Sequence, residues 1–201
     1  MEKKYYYLLL LLLPFLAACT GGGGKKNAED DDSIKFVKID SIDVPDIIDA
    51  VGTIGDGTSM NVLELITDEG DTLNIEMSNG TVVGGIVVGE RVAVTYHTQN
   101  GMSRAMTSVN MSALQHLWAQ PADDGHKQCI ELNEGGRMST YDMSIEYDAW
   151  ALKDGKLLLY SPKKIASEQA EQADTFDIMQ LTDESLVLMH GNMESEFIRE
   201  N

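Results

Sequence analysis

Hydrophobic positions in this chain fall into one long run and many short ones. The long run extends from Tyr5 to Ala18, fourteen residues, preceded by Glu2, Lys3 and Lys4 and interrupted at Pro14. A helix that crosses a bilayer needs about 20 apolar residues, so this run is too short to span. Its order of charge, apolar stretch and small residues, with Leu16-Ala17-Ala18 directly before Cys19, predicts a cleaved export signal over residues 1–18. Behind it, TGGGGKKNAEDDDS from Thr20 to Ser33 lacks apolar residues except Ala28, which predicts a flexible tether over residues 19–39. Fourteen such residues have an r.m.s. span of about 20 Å and a stretched reach of about 45 Å.

Past the tether the apolar runs are short, often alternating, and separated by turn residues, which predicts a mostly β protein. In the first part the expected strands are Ala50 to Ile54, Met60 to Thr67, Thr72 to Met77, Thr81 to Val88, Arg91 to His97 and Arg104 to Val109. Val44 to Asp49, before them, reads as a short helical turn or an edge. Five or six short strands with tight turns imply a small barrel over residues 40–112. Gly89 to Tyr96 looks like the turn and strand of OB-like and SH3-like barrels, and an OB-like barrel is the expectation. The second part, residues 113–201, reads as eight strands: Leu114 to Trp118, Lys127 to Leu132, Arg137 to Tyr141, Ile145 to Lys153, Lys156 to Ser161, Thr175 to Leu181, Ser185 to His190 and Glu194 to Arg199. Hairpin-like connections such as Lys153-Asp154-Gly155-Lys156 favour an up-and-down barrel, because closure removes exposed edges. The runs Leu157 to Tyr160 and Leu186 to Met189 do not alternate, so burial of both their faces is expected, by packing of the two barrels or by a partner.

Charge narrows the partners. The chain carries a net charge of -18, and residues 1–18 hold two lysines and one glutamate, so their removal takes it to -19. Phosphate binding needs clustered Lys and Arg, so no nucleic acid partner is expected. Only Cys19 and Cys129 are present. Cys129 lies in the strand-like run Gln128 to Leu132, where a thiol more often serves as a small buried apolar residue than as a reactive group or ligand. His97, His116, His126 and His190 are scattered, and no nucleophile elbow, zinc-protease helix motif or phosphate loop occurs. No catalytic residue, no enzymatic activity and no cofactor are therefore expected. Met102, Met106, Met111, Met189-His190 and Met193 offer soft donors that copper(I) would accept, but methionine is more often core filler, so no metal site is expected either.

Two resemblances add to this reading. Leu-Ala-Ala-Cys resembles the lipobox of bacterial lipoproteins, which implies that Cys19 is lipidated and becomes the mature N-terminus. Three acyl chains, at about 0.8 kcal/mol per buried methylene, would hold the protein on a membrane. Thr20 after the cysteine implies the outer membrane, with the periplasmic face favoured over the cell surface. Further on, Trp118-Ala119-Gln120-Pro121, then Tyr141 to Trp150, then Asp174 to Leu188 with Leu181-Thr182 and Leu186 to Leu188, resemble in order and spacing the lipocalin-like domains of bacterial lipoproteins. The stretch Ile165 to Ala173 departs from that pattern. A lipocalin-like domain beside an OB-like one is also similar in architecture to envelope-stress and copper-resistance lipoproteins of the NlpE type, although those carry a CXXC motif that this chain lacks. The resemblance implies a barrel able to hold one small apolar ligand, or, with Trp118, Tyr147, Trp150, Phe176 and Phe197 filling it, a solid barrel that docks on other envelope proteins.

Overall fold

A computed structural model describes residues 46–121, 125–162 and 173–200. The export signal, Cys19, the tether and most of the Ile165 to Ala173 stretch lie outside the described residues. Among the described residues, no helix is long and apolar enough to cross a membrane.

The first sheet contains β1 (Ile47–Ile54), β2 (Val62–Thr67), β3 (Thr72–Glu76), β4 (Thr81–Val83), β5 (Arg91–Gln99) and β6 (Met102–Asn110). Its order is β3-β2-β1-β5-β6, and a parallel pairing of β3 with β6 through Ile75↔Ser103 and Glu76↔Arg104 closes the ring. Arg104 Nε donates to Glu76 Oε2 across that closure at 2.9 Å. The result is a closed five-stranded barrel with the strand order of an OB-like fold, and β4 lies parallel to β6 outside the ring. Alternation explains which side chains enter it: Leu63 and Leu65 point inward and are fully buried with Ile54, Ile75, Val92 and Val94, while Val62, Glu64 and Ile66 point outward. Gly52 sits where β1 crosses β2 so closely that a Cβ there would stand 2.3 Å from Ile66 O.

Eight strands form the second sheet: β7 (Leu117–Pro121), β8 (Lys127–Leu132), β9 (Met138–Tyr141), β10 (Ala149–Lys153), β11 (Lys156–Tyr160), β12 (Ala173–Leu181), β13 (Ser185–His190) and β14 (Met193–Arg199). All neighbours are antiparallel, in the order β10-β11-β12-β13-β14-β7-β8-β9. The first and last strands of this sheet pair through Ala119↔Ile198 and Trp118↔Arg199. Closure is thinnest between β9 and β10, spanned by the bridge Arg137↔Ala149 and a Met138 N–H bond to Asp148 O. This is a near-closed up-and-down barrel.

Between the barrels the chain departs from the expected strands, for local reasons. Leu114 to Trp118 is not one strand, because Asn110 caps a single helical turn, α1 (Met111–Leu114), and β7 begins at Leu117. Thr81 to Val88 ends at Val83, where Gly84 and Gly85 take positive φ of 81° and 80°. Ile145 to Lys153 begins only at Ala149, and the preceding residues turn over the barrel end after Asp142, which has φ 55°. Ile47 to Asp49 form neither a helical turn nor a free edge but the start of β1, paired with His97, Tyr96 and Thr95.

Each barrel has its own core, and the end of the first barrel adds residues to the core of the second. Val109 and Leu114 are fully buried in the same cluster as Trp118, Trp150, Leu157 and Leu186, with Val83, Met111 and Ala113 packed against it. The end of β6 and helix α1 therefore plug the base of the second barrel. Arg91 N–H donates to Ser112 Oγ at 2.9 Å, and Asp154 N–H donates to the Asp49 carboxylate at 3.2 Å. Ala50, Thr95 and Val109 face Leu152 and Gly155 across a crevice of only 10 Å³. The Leu-rich runs play a different part from the one their lack of alternation implied. Leu157, Leu159, Leu186 and Leu188 are buried inside the second barrel, whereas Leu158, Tyr160, Val187 and Met189 on the outside are half-buried. The joint itself uses Val83, Val109, Leu152 and Leu181, with Gly84 so tight that a Cβ would lie 2.7 Å from Leu181 Cδ2.

Candidate functional site

With its base plugged, the second barrel is left with its opposite end, and the aromatic residues divide between core and pocket. Trp118 is fully buried at the base, its Nε1–H donating to Leu114 O at 2.8 Å, with the His116 ring edge-on at 6.1 Å. Trp150 is buried as well, its Nε1–H bonded to Asn133 O at 2.9 Å. Both indoles are filler with a satisfied polar handle. Tyr147, Phe176 and Phe197 instead line a pocket at the mouth with Ile130, Leu159 and Leu188. The connection between β9 and β10 contributes Met143, Ser144 and Ile145, and Gln120 and Ser195 add polar groups at the rim. The cavity measures about 90 Å³.

The polar feature of the mouth is a tyrosine–aspartate pair. Tyr147 is buried, and its hydroxyl donates to Asp174 Oδ2 at 2.6 Å. Burial first, and the bond to the Asp174 carboxylate second, push the phenol well above its ordinary range, so it stays protonated as a donor. Asp174 stands opposite Leu159 in the β11–β12 register, and directly opposed residues share a face. Leu159 is buried in the barrel, so Asp174 points inward with it, two residues before Phe176 on the same face.

Of the five aromatic residues singled out in the sequence, three meet at the mouth and the two tryptophans are buried in the core. Met143, Ser144, Ile145, Gln120, Ser195 and Asp174 carried no such signal. Period-two alternation along β12 places Asp174 beside Phe176, but a carboxylate at an inward position runs against the apolar pattern by which inward positions are recognised.

Cys129 is half-buried rather than buried, on β8. Burial first, with Glu200 next, raises its thiol pKa, which is the opposite of what a reactive cysteine needs. Met102 and Met106 are exposed on β6, four residues and so about 13 Å apart along the strand, too far to share an ion. Among the described residues, no group of three His, Cys, Asp or Glu is placed to hold a metal.

Comparison with known proteins bears on the second barrel. Residues 112–200 match the family model described as Lipocalin-like. Among solved structures, the chain is similar to a lipocalin-like protein from Bacteroides thetaiotaomicron VPI-5482, at 31% identity over 44% of this chain and 97% of that one, with a TM-score of 0.37. The search of curated proteins finds no match. Residues 112–200 of this chain are thus a lipocalin-like domain.

Proposed function

We propose that this chain is a non-enzymatic, lipid-anchored envelope protein whose lipocalin-like barrel binds a small apolar ligand at its mouth. One observation carries the ligand reading. The base of the barrel is sealed by Val83, Val109 and α1, whereas the mouth leaves an apolar cavity ringed by Gln120, Ser144, Ser195 and the Tyr147 hydroxyl. Apolar walls with a few placed polar groups are the common make-up of a small-molecule site. Native mass spectrometry of the protein taken from its own envelope tests it: a retained small molecule is the expected result, and a clean apo mass counts against it.

The cavity's size favours a second reading beside the first. At about 90 Å³ it is well under the roughly 300 Å³ of a drug-sized pocket. A barrel so nearly filled suits an interaction or stress-sensing module that docks on other envelope proteins. In that case the apo mass would be accompanied by co-purifying protein.

The anchor rests on Cys19, the outer membrane on Thr20 beside it, and the periplasmic face on the distance of the acidic run Asp30 to Asp32 from the cysteine. A body of net charge -19 after cleavage is repelled by anionic lipid, so attachment falls to the acyl chains. Cys19→Ala is expected to abolish labelling by an alkyne fatty acid and to move the protein from the membrane to the soluble fraction. Continued labelling and sedimentation with the membrane would remove the lipid anchor from the proposal.

A further inference from the structure

We infer that the barrel mouth selects ligands with a cationic, hydrogen-bond-donating head on a short apolar body, such as an alkyl amine, and that Asp174 receives the head. The inference rests on the mouth being a ligand site and deepens that reading.

Placement comes first. The opposition of Asp174 to Leu159 directs its carboxylate into the barrel, above the apolar wall that Phe176, Leu159 and Phe197 form. Tyr147 uses only Oδ2, and Oδ1 accepts no hydrogen bond from the described residues. An ionised carboxylate has about four acceptor sites and donates none, so the group is oriented by the phenol and still able to accept. A ligand N–H or ammonium would complete it.

Charge balance points the same way. Among the described residues lining the mouth there is no lysine or arginine. Lys127 and Lys156, which belong to this barrel, are held on exposed surface by Glu200 and Asp177. Among the described residues, therefore, no cation offsets a ligand carboxylate entering beside Asp174, and like charges brought together away from water repel strongly. The net charge of -18 adds a field over the whole surface that attracts cations and repels anions. The cavity of about 90 Å³ limits the apolar part to a short chain or small ring.

Three probes with one six-carbon chain separate the possibilities: hexylamine, hexanol and hexanoate, titrated calorimetrically into the mature chain, with heats of dilution into the same detergent subtracted. Hexylamine is expected to bind at least about tenfold more tightly than hexanol, the size of a charge-assisted hydrogen bond, and hexanoate more weakly than both. Asp174→Asn keeps the side-chain shape and should bring the amine within about threefold of the alcohol. Hexanoate binding as tightly as hexylamine would overturn the selection yet leave the apolar site standing. A preference for the amine that survives Asp174→Asn would overturn the assignment to Asp174 and place the cation on the acidic surface. Binding of none of the three would sink the ligand site and the inference together. The comparison of the three probes on the unaltered protein decides the sign of the selection without any variant.

Discussion

Trp118→Ala should lower the unfolding free energy by about 3–5 kcal/mol, the usual cost of deleting a buried tryptophan. Against a total stability of roughly 5–15 kcal/mol for a domain, that loss leaves the barrel marginal. Three features place Trp118 at the upper end. It is fully buried, so the cavity left behind would have walls on every side. Its backbone lies opposite Ile130 in β8 and opposite Arg199 in β14, which makes it part of the pairing that joins the first and last strands of the sheet. Its indole N–H holds Leu114 O, the end of the turn that plugs the base. Trp118→Phe separates these contributions, because it keeps most of the ring volume and removes only one of the two hydrogen bonds to Leu114 O, which still accepts from His116 N at 2.9 Å, at a cost of about 0.5–1.5 kcal/mol. Urea unfolding followed by far-UV circular dichroism measures both. A loss below about 1 kcal/mol for Trp118→Ala, small beside the cost of such a deletion, would mean that the base does not depend on the indole.

How far the sequence foretold this arrangement depended on whether burial alternated. Lys127–Leu132 and Ser185–His190 are legible because turn residues flank both runs, although the apolar run Leu186 to Met189 hides the alternation of buried and half-buried positions that the fold gives it. The meander of eight strands and the five-stranded ring followed from the same signal repeated. Elements that depend on one residue's conformation were harder to see. Gly84-Gly85 stands in the sequence as a breaker, yet the apolar Ile86-Val87-Val88 behind it prolonged the apparent strand. Asn110 reads as the end of a strand, and only the fold reveals that it also caps α1. At the mouth, Tyr147, Phe176 and Phe197 were legible as bulk, but their separation from Trp118 and Trp150 was not, since composition does not distinguish the plugged end of a barrel from the open one. Asp174 was hidden for a physical reason: a carboxylate inside a barrel is tolerated only where a donor such as the Tyr147 hydroxyl meets it, and that donor is 27 residues away in the chain.

Asn110→Ala is expected to cost about 2–4 kcal/mol, the sum of a lost helix cap and newly unpaired groups, and to uncouple the two barrels. Asn110 is fully buried at the last position of β6. Its Oδ1 accepts from Ala113 N at 2.9 Å, capping α1, while its Nδ2 donates to Glu90 Oε2 at 2.5 Å and to Gly85 O at 3.4 Å. One side chain thus ties the turn that plugs the second barrel to the loop between β4 and β5 of the first. Alanine keeps none of these bonds and leaves the Glu90 carboxylate and the Gly85 carbonyl without this partner. The consequence can be read with two probes, because both tryptophans of the chain lie in the lipocalin-like barrel. Indole fluorescence follows that barrel alone, whereas far-UV circular dichroism follows both. In the unaltered protein the packing of Val83, Val109 and Leu114 into the second barrel should make the two curves coincide in one transition. In Asn110→Ala they should separate. Asn110→Asp refines the test, because it retains the capping oxygen but sets a second carboxylate against Glu90. Like charges at close range raise the pKa of the new carboxyl group, so its repulsion is present at neutral pH and relieved as pH falls through that raised pKa. The deficit of this variant relative to the unaltered protein should therefore shrink on acidification from pH 7 toward 5, whereas that of Asn110→Ala should not. If Asn110→Ala instead unfolds with coincident curves at the unaltered midpoint, the barrels are coupled through Leu152, Leu181 and Val109 without help from the buried amide.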